Sequence, residues 1–500
     1  MEEWTISEMQ ARMESGELTA RQLAELYIER IETLDQAGPK VNSVIELNPD
    51  ALAIASALDA ERKADKVRGP LHGIPILLKD NIDTADKMQT TAGSLALEGS
   101  RAMRDAGLVE KLRLAGALIL GKTNLSEWAN FRGKNSTSGW SSRGGLTHNP
   151  YALDRSACGS SSGSGAAVAA NFCAAAVGTE TDGSIVCPSQ TNGIVGIKPT
   201  VGLVSRAGVI PISHSQDTPG PMARTVEDVA ILLGALAGPD ERDPVTKSGK
   251  KRGLINYKSV LDPNGLKGAR IGVARSLFGS DKRVRAVMDS SLDAIKQAGA
   301  TLVDVELKSS DTFGKTELEV MYFEYKAGLD AYLDALGPSA KVHSLADVIK
   351  FNEDNRTTVL AYFGQEHMEV AQEKGALTSK KYLSALEKNH RLARDEGIDA
   401  VMKKRRVSAI VLPSGGPAWM IDLVNGDGGR NWDMDSTSYA AVAGYPHITV
   451  PAGYLYGLPI GISFFGRAWQ EATLIQYAYV FEQMTKVRRP PEFLPTANLE

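Results

Sequence analysis

Between residues 73 and 238 the chain alternates short, almost wholly apolar runs with segments of helical period. Gly73-Ile74-Pro75-Ile76-Leu77-Leu78 closes on Lys79-Asp80-Asn81, and Ala117-Leu118-Ile119-Leu120 follows a helical pattern that begins at Val109. Apolar runs this short read as strands, and their alternation with helices marks an α/β sheet. Residues 156–200 are dense in glycine, serine and alanine. Small residues there let backbones approach one another, or a ligand, closely.

The flanking regions read differently. Residues 1–60 look helical: Thr19-Ala20-Arg21-Gln22 has the form of a capping box, with Leu23, Leu26, Ile28 and Ile31 behind it. From about 240 to 270 the pattern turns polar and loop-like through Lys247-Ser248-Gly249-Lys250-Lys251-Arg252. A strand at Ala269 to Ala274 and a helix around 283–298 follow, and 315–405 is mainly helical. Strand patterns return at Ala409-Ile410-Val411-Leu412 and His447-Ile448-Thr449-Val450. We expect one elaborate α/β domain over residues 1–500. Its parts are N-terminal helices (1–60), a catalytic core (61–240), a divergent helical region (241–405) and a return to the core sheet (406–485).

Charge and cysteine use narrow the partners. Lys plus Arg is 56 and Asp plus Glu is 60, a formal net charge of −4. That balance lacks the basic footprint a nucleic acid requires and gives no polybasic membrane patch. Cys158, Cys173 and Cys187 are too few and too scattered for a disulfide framework. The longest apolar stretch, from Gly165 to Gly178, is interrupted by Asn171 and falls short of the roughly 20 residues a spanning helix needs. No leader is visible at Met1-Glu2-Glu3-Trp4, so the expectation is a cytoplasmic protein, with a trimmed exported form left open. No HExxH or clustered ligand spacing suggests a metal.

Three motif matches fail on context. Gly116-Ala117-Leu118-Ile119-Leu120-Gly121-Lys122-Thr123 fits a phosphate loop, but its four middle residues are themselves a strand and a helix precedes its first glycine. Gly159-Ser160-Ser161-Ser162-Gly163 fits a nucleophile elbow, yet Asn149 to Ser156 makes a poor buried strand. Ser248-Gly249-Lys250-Lys251 fits SxxK within a polar run where lysines stay protonated.

Two serine-rich glycine loops persuade more. The first is Cys158-Gly159-Ser160-Ser161-Ser162-Gly163-Ser164-Gly165; the second is Gly178-Thr179-Glu180-Thr181-Asp182-Gly183-Ser184-Ile185. Turns with several inward N–H groups bind oxyanions. Lys79, at the end of an apolar run, is either a desolvated neutral base or a lysine snorkelling into water. Chemistry alone leaves both open.

These motifs resemble the amidase-signature family of serine hydrolases. Gly73 to Pro75 with Lys79-Asp80-Asn81, Gly121 to Asn124 and both Gly/Ser loops carry the resemblance. Gly193 to Thr200, Pro219 to Arg224, Ala443 to Pro446 and Gly457 to Gly461 extend it over about residues 5 to 485. Gly121 to Gly133 and Thr179 to Ser184 look most like bacterial peptide amidases and aryl acylamidases. The resemblance implies a large mixed central β-sheet covered by helices on both faces. It implies Ser184 as nucleophile, Ser160 as bridge across a cis Gly159–Ser160 bond, and Lys79 as base. The backbones of Thr181, Asp182 and Gly183 would hold the oxyanion, with no cofactor and no metal. Asp182 stands where many members have glycine, and Val186 where many have arginine, which leaves less positive charge near the nucleophile.

The function expected is hydrolysis of a linear carboxamide through a seryl acyl-enzyme, on a C-terminal peptide amide or an aryl acylamide. The partner expected is a small-molecule or peptide amide, with the chain a monomer or homodimer. The rivals are the glutamine-hydrolysing component of a tRNA amidotransferase and a nucleotide-binding protein built on Gly116 to Thr123.

Overall fold

The computed structural model describes residues 2–249, 256–308, 310–429 and 436–499. Lys250, Lys251 and Arg252 of the polar run, and with them half of the SxxK match, lie outside the described residues. In chain order the first strands are β1 (Val44–Leu47), β2 (Pro75–Lys79) and β3 (Leu118–Thr123). Two short ribbons follow: β4 (Trp140–Ser141) with β5 (Gly145–Leu146), and β6 (His148–Asn149) with β7 (Ala152–Ser156). Then come β8 (Ala175–Glu180), β9 (Val195–Lys198), β10 (Thr218–Ala223), β11 (Arg270–Val273) and β12 (Thr301–Asp304). The last are β13 (Ala409–Pro413), β14 (His447–Leu455) and β15 (Leu458–Phe465).

Apart from the ribbons these strands make one mixed sheet of 11, in the order β1-β3-β2-β8-β10-β9-β14-β15-β13-β11-β12, flanked by helices. The strand β2 runs parallel between β3 and β8. Every residue of β2 and β8 is buried, which is why both read as continuous apolar or small-residue runs rather than alternating ones. Two features depart from expectation. The first 60 residues are not all helical, because Val44–Leu47 pairs antiparallel with β3 as the sheet's edge. At the other end β12, which was not expected, joins β11, the strand expected at Ala269 to Ala274, and the two carry part of the divergent region into the same sheet.

The small residues of 156–200 have a packing reason. The helix Ser162–Ala169 is buried along its whole length, so it has no polar face. A Cβ at Gly163 would lie 2.3 Å from the Ser43 carbonyl oxygen, and one at Gly178 would lie 2.7 Å from Ser161 Oγ. Larger side chains would push the helix away from Ser43 and Asn124 at the one site and from β8 at the other. The apolar stretch from Gly165 to Gly178 is divided between this helix and β8. Among the described residues no helix is long and apolar enough to cross a membrane.

The helical region comprises the long helix Asp311–Asp334 and shorter ones, including Leu345–Asp354, Glu366–Gln372 and Lys380–His390. It packs onto the segment after β3 through Trp128, Phe131, Ile210, Ile212, Tyr322 and Tyr325. Arg132, wholly buried, pairs with buried Glu127 and donates to the carbonyls of Val359 (2.8 Å) and Phe363 (3.0 Å). A buried ion pair is tolerated where its remaining hydrogen bonds are made, and here those bonds fasten the helical region to the core.

Candidate active site

The C-terminal end of β2 delivers Lys79 into the protein interior, with no exposed surface. Snorkelling is thereby excluded. Its Nζ lies 2.8 Å from Ser160 Oγ, 2.9 Å from Thr179 Oγ1 and 3.2 Å from the Thr179 carbonyl oxygen. Burial lowers the Lys79 pKa to about 7, against the opposing charges of Asp217 and then Glu180. A neutral amine has two N–H bonds and one lone pair. In that state the two oxygens of Thr179 can accept both N–H bonds, which would leave the lone pair facing Ser160. Asn81 Nδ2 donates to the same Thr179 Oγ1 (3.0 Å) and fixes that hydroxyl.

Ser160 follows a cis Gly159–Ser160 peptide bond, and its carbonyl accepts from Ser126 N (3.1 Å). Its neighbour Ser161 is the centre of the GxSxG match but works as a brace. The Ser161 hydroxyl donates to the Thr179 carbonyl (3.1 Å) and accepts from Thr179 N (3.2 Å). The run before it forms only the short ribbon strand β7, mostly half-buried, which an elbow cannot use.

Beyond β8 the chain turns through Thr181, Asp182 and Gly183 to Ser184, then enters the helix Val186–Thr191. Gly183 has φ 78°, a conformation glycine adopts without strain, and a Cβ there would crowd Thr437 Oγ1 at 3.2 Å. Three side chains brace this turn. Glu180 accepts from Ile185 N (2.7 Å) and Val186 N (2.9 Å). Asp182 accepts from Ser438 Oγ (2.7 Å), and the Thr181 hydroxyl donates to Asp217 (2.6 Å). Ser161 N donates to the Ser184 carbonyl (3.2 Å) and joins the two turns.

Lys79, Ser160 and the Thr181–Ser184 turn thus meet, as the resemblance implies. Sequence reasoning missed Thr179 and Asn81 as holders of the amine, although both stand inside the quoted motifs, and gave no sign of Asp217. It also requires a correction on cysteine. Cys158 and Cys187 form a disulfide, 29 residues apart in sequence, because the folding of β8 back past the first loop brings the two turns together. The phosphate-loop match comes apart: Lys122 is fully buried in β3, donating to Ile82 O (2.8 Å), Gln89 O (2.9 Å) and Thr90 Oγ1 (3.0 Å). No donor is left on it for a phosphate. Among the described residues no group of His, Cys, Asp or Glu could hold a metal.

A cavity of about 210 Å³ borders the residues that hold the amine, with Asn81, Thr179, Thr181, Ile210 and Asp217 in its wall. Asp217, pushed up to about 6 by burial, accepts from Thr181 Oγ1, Ile212 N (2.8 Å) and Ser213 N (2.9 Å). Its negative charge raises the Lys79 pKa, so removing it should let that pKa fall. In Asp217→Asn the amide oxygen can still accept the two N–H groups while its NH₂ faces Thr181. With Lys79 as the base that the resemblance implies, the acid limb of kcat/KM lies near pH 7 and is expected to move to lower pH in this variant. A pH–rate profile at saturating buffer checks this, and an unmoved limb would show that the amine does not sense Asp217.

The model of the family described as Amidase matches residues 22–475. A probable amidase of Arabidopsis thaliana is 41% identical, with 99% of this chain and 92% of the relative covered. The solved structure of native peptide amidase from Stenotrophomonas maltophilia is 49% identical, with a TM-score of 0.93 and 98% of each chain covered. A glutamyl-tRNA(Gln) amidotransferase subunit of Halorhodospira halophila is 34% identical, covering 97% of this chain and 98% of the relative.

Proposed function

The chain belongs to the amidase family, and from that premise we propose that it removes the terminal carboxamide of short peptides through a seryl acyl-enzyme. It is an amide-hydrolysing enzyme. The observation that carries the mechanism is the 2.8 Å bond from a wholly buried Lys79 Nζ to Ser160 Oγ, in surroundings that hold the amine near neutrality. Neutral Lys79 takes the Ser160 proton as Ser160 takes that of Ser184, and Ser184 Oγ bonds to the amide carbon. The N–H groups of Thr181, Asp182, Gly183 and Ser184 receive the charge that forms on the carbonyl oxygen. As the C–N bond breaks, the proton returns through Ser160 to the departing nitrogen and ammonia leaves. Water then attacks the ester by the same relay and releases the acid.

The peptide amide is favoured over an aryl acylamide by the likeness to peptide amidase across nearly the whole of both chains. The glutamine-hydrolysing reading rests on a more distant relative. The disulfide supports an oxidising compartment over the expected cytoplasm, since cytosolic thiol buffers keep such pairs reduced.

The test is ammonia and amine release by the purified chain alone from an amidated dipeptide, an acyl anilide, a fatty amide and free glutamine. Turnover is expected on the amidated dipeptide and absent with glutamine. A preference for the anilide would move the substrate to the aryl branch. Turnover of glutamine only in the presence of partner chains would replace the proposal with the amidotransferase reading.

A further inference from the structure

Cys158 stands two residues before Ser160, and Cys187 three residues after Ser184. The bond between them therefore spans the two serine-bearing turns, with the Cα atoms 6.0 Å apart. Trp419 packs against both sulfur-bearing side chains, which are almost fully buried. Close to the serines, the hydrogen bond from Ser161 N to the Ser184 carbonyl also crosses between the turns. Farther out the contact is more robust: the Ala157 carbonyl accepts from Thr191 Oγ1 (3.0 Å) and Asn192 Nδ2 (2.9 Å).

We propose that the Cys158–Cys187 disulfide is a positioning element of the active site, holding the Ser160 turn against the Ser184 turn, so that reducing it removes turnover and leaves the fold. The inference rests on the triad assigned above. Its physical basis is local. Two thiols cannot approach as closely as two bonded sulfurs, so reduction pushes the turns apart where the proton must pass between serines. The 11-stranded sheet and the Ala157 contacts lie outside that gap and keep the surrounding chain in place. Relay catalysis is sensitive to such shifts, since a displacement of about 1 Å can cost on the order of 10²-fold in rate.

The third cysteine supplies an internal control. Cys173 is buried and free, and burial pushes its thiol up to about 12, so it stays unreactive under mild reduction. Dithiothreitol delivers two electrons and two protons to the Cys158–Cys187 bond. It becomes its own cyclic disulfide and leaves two thiols on the protein. Counting thiols after denaturation should then give three in place of one.

The experiment compares oxidised and reduced wild type by kcat and KM on an amidated dipeptide and by the rate at which a fluorophosphonate labels Ser184. Near-UV circular dichroism follows the fold. Reduction is expected to lower kcat and the labelling rate by about 10- to 100-fold, with KM within about twofold and the dichroism unchanged. Oxidised glutathione, which takes the two electrons back, should restore both rates. A Cys158→Ala/Cys187→Ala double variant should start at the reduced level and ignore dithiothreitol; if that variant does not fold, the reduced wild type decides.

Three thiols counted with kcat and labelling unchanged would overturn the proposal. So would activity lost only together with the dichroism, or a bond that yields only when the chain unfolds, because the disulfide would then be a staple of the fold. Failure of the triad itself would show separately, as turnover surviving in oxidised Ser184→Ala.

Discussion

Ser184→Ala is expected to lower amide turnover by about 10⁴- to 10⁶-fold, the scale on which removal of a nucleophile acts in serine hydrolases, while the protein folds and melts as before. The side chain is only 8% exposed, and alanine removes one oxygen without changing the backbone that Gly183 and Glu180 shape. The N–H groups of the turn stay where they are, so an amidated peptide should still bind. The measurement is ammonia release together with the dissociation constant of the peptide amide. A variant that turns over within tenfold of wild type would remove Ser184 from the role and leave the second serine loop as mere packing.

Lys79→Met is the second large effect. Methionine has nearly the length of lysine and no nitrogen, so it empties the base position without opening a cavity. Ser160 then has no acceptor for its proton, and a loss of about 10² to 10⁴ in kcat is expected from removing a general base. Stability should move the opposite way, and its sign follows from linkage. The amine's ordinary pKa is 10.5 and its folded value about 7. Between those values the unfolded chain binds the extra proton, so wild-type stability rises with pH across that window; below about pH 7 the full cost of a buried ammonium is present. Methionine carries no such cost. The melting temperature of the variant relative to wild type should accordingly be more favourable at pH 6 than at pH 9, read by thermal denaturation at both. An equal difference at the two pH values would mean that Lys79 keeps its ordinary pKa, and the neutral-base mechanism would fall with it.

Much of this protein was legible because its chemistry sits in contiguous runs. Lys79, Ser160 and the turn from Thr181 to Ser184 each lie in a short motif, and short motifs survive translation into one dimension. The sheet was legible for a related reason: β2 and β8 are buried on both faces, so each is written as an unbroken apolar or small-residue run. β1 escaped notice because four residues at a sheet edge, three of them half-buried, carry little pattern of their own. Asp217 escaped because its part depends on a hydrogen bond from Thr181 and on the charge of Lys79, both far from it in sequence.

The order of strands, the burial of Lys79 and the pairing of Cys158 with Cys187 were decided by the tertiary structure. Each arises from contacts between segments that the chain alone keeps apart. A lysine at the end of an apolar run can lie in water or in the dry interior, and only the strands on either side of β2, with the helix Ser162–Ala169, close off the water. Residue types and spacing determined which chemical groups were present and which turns could carry them; the depth of burial, which lowers the pKa of Lys79, came from the packing around them.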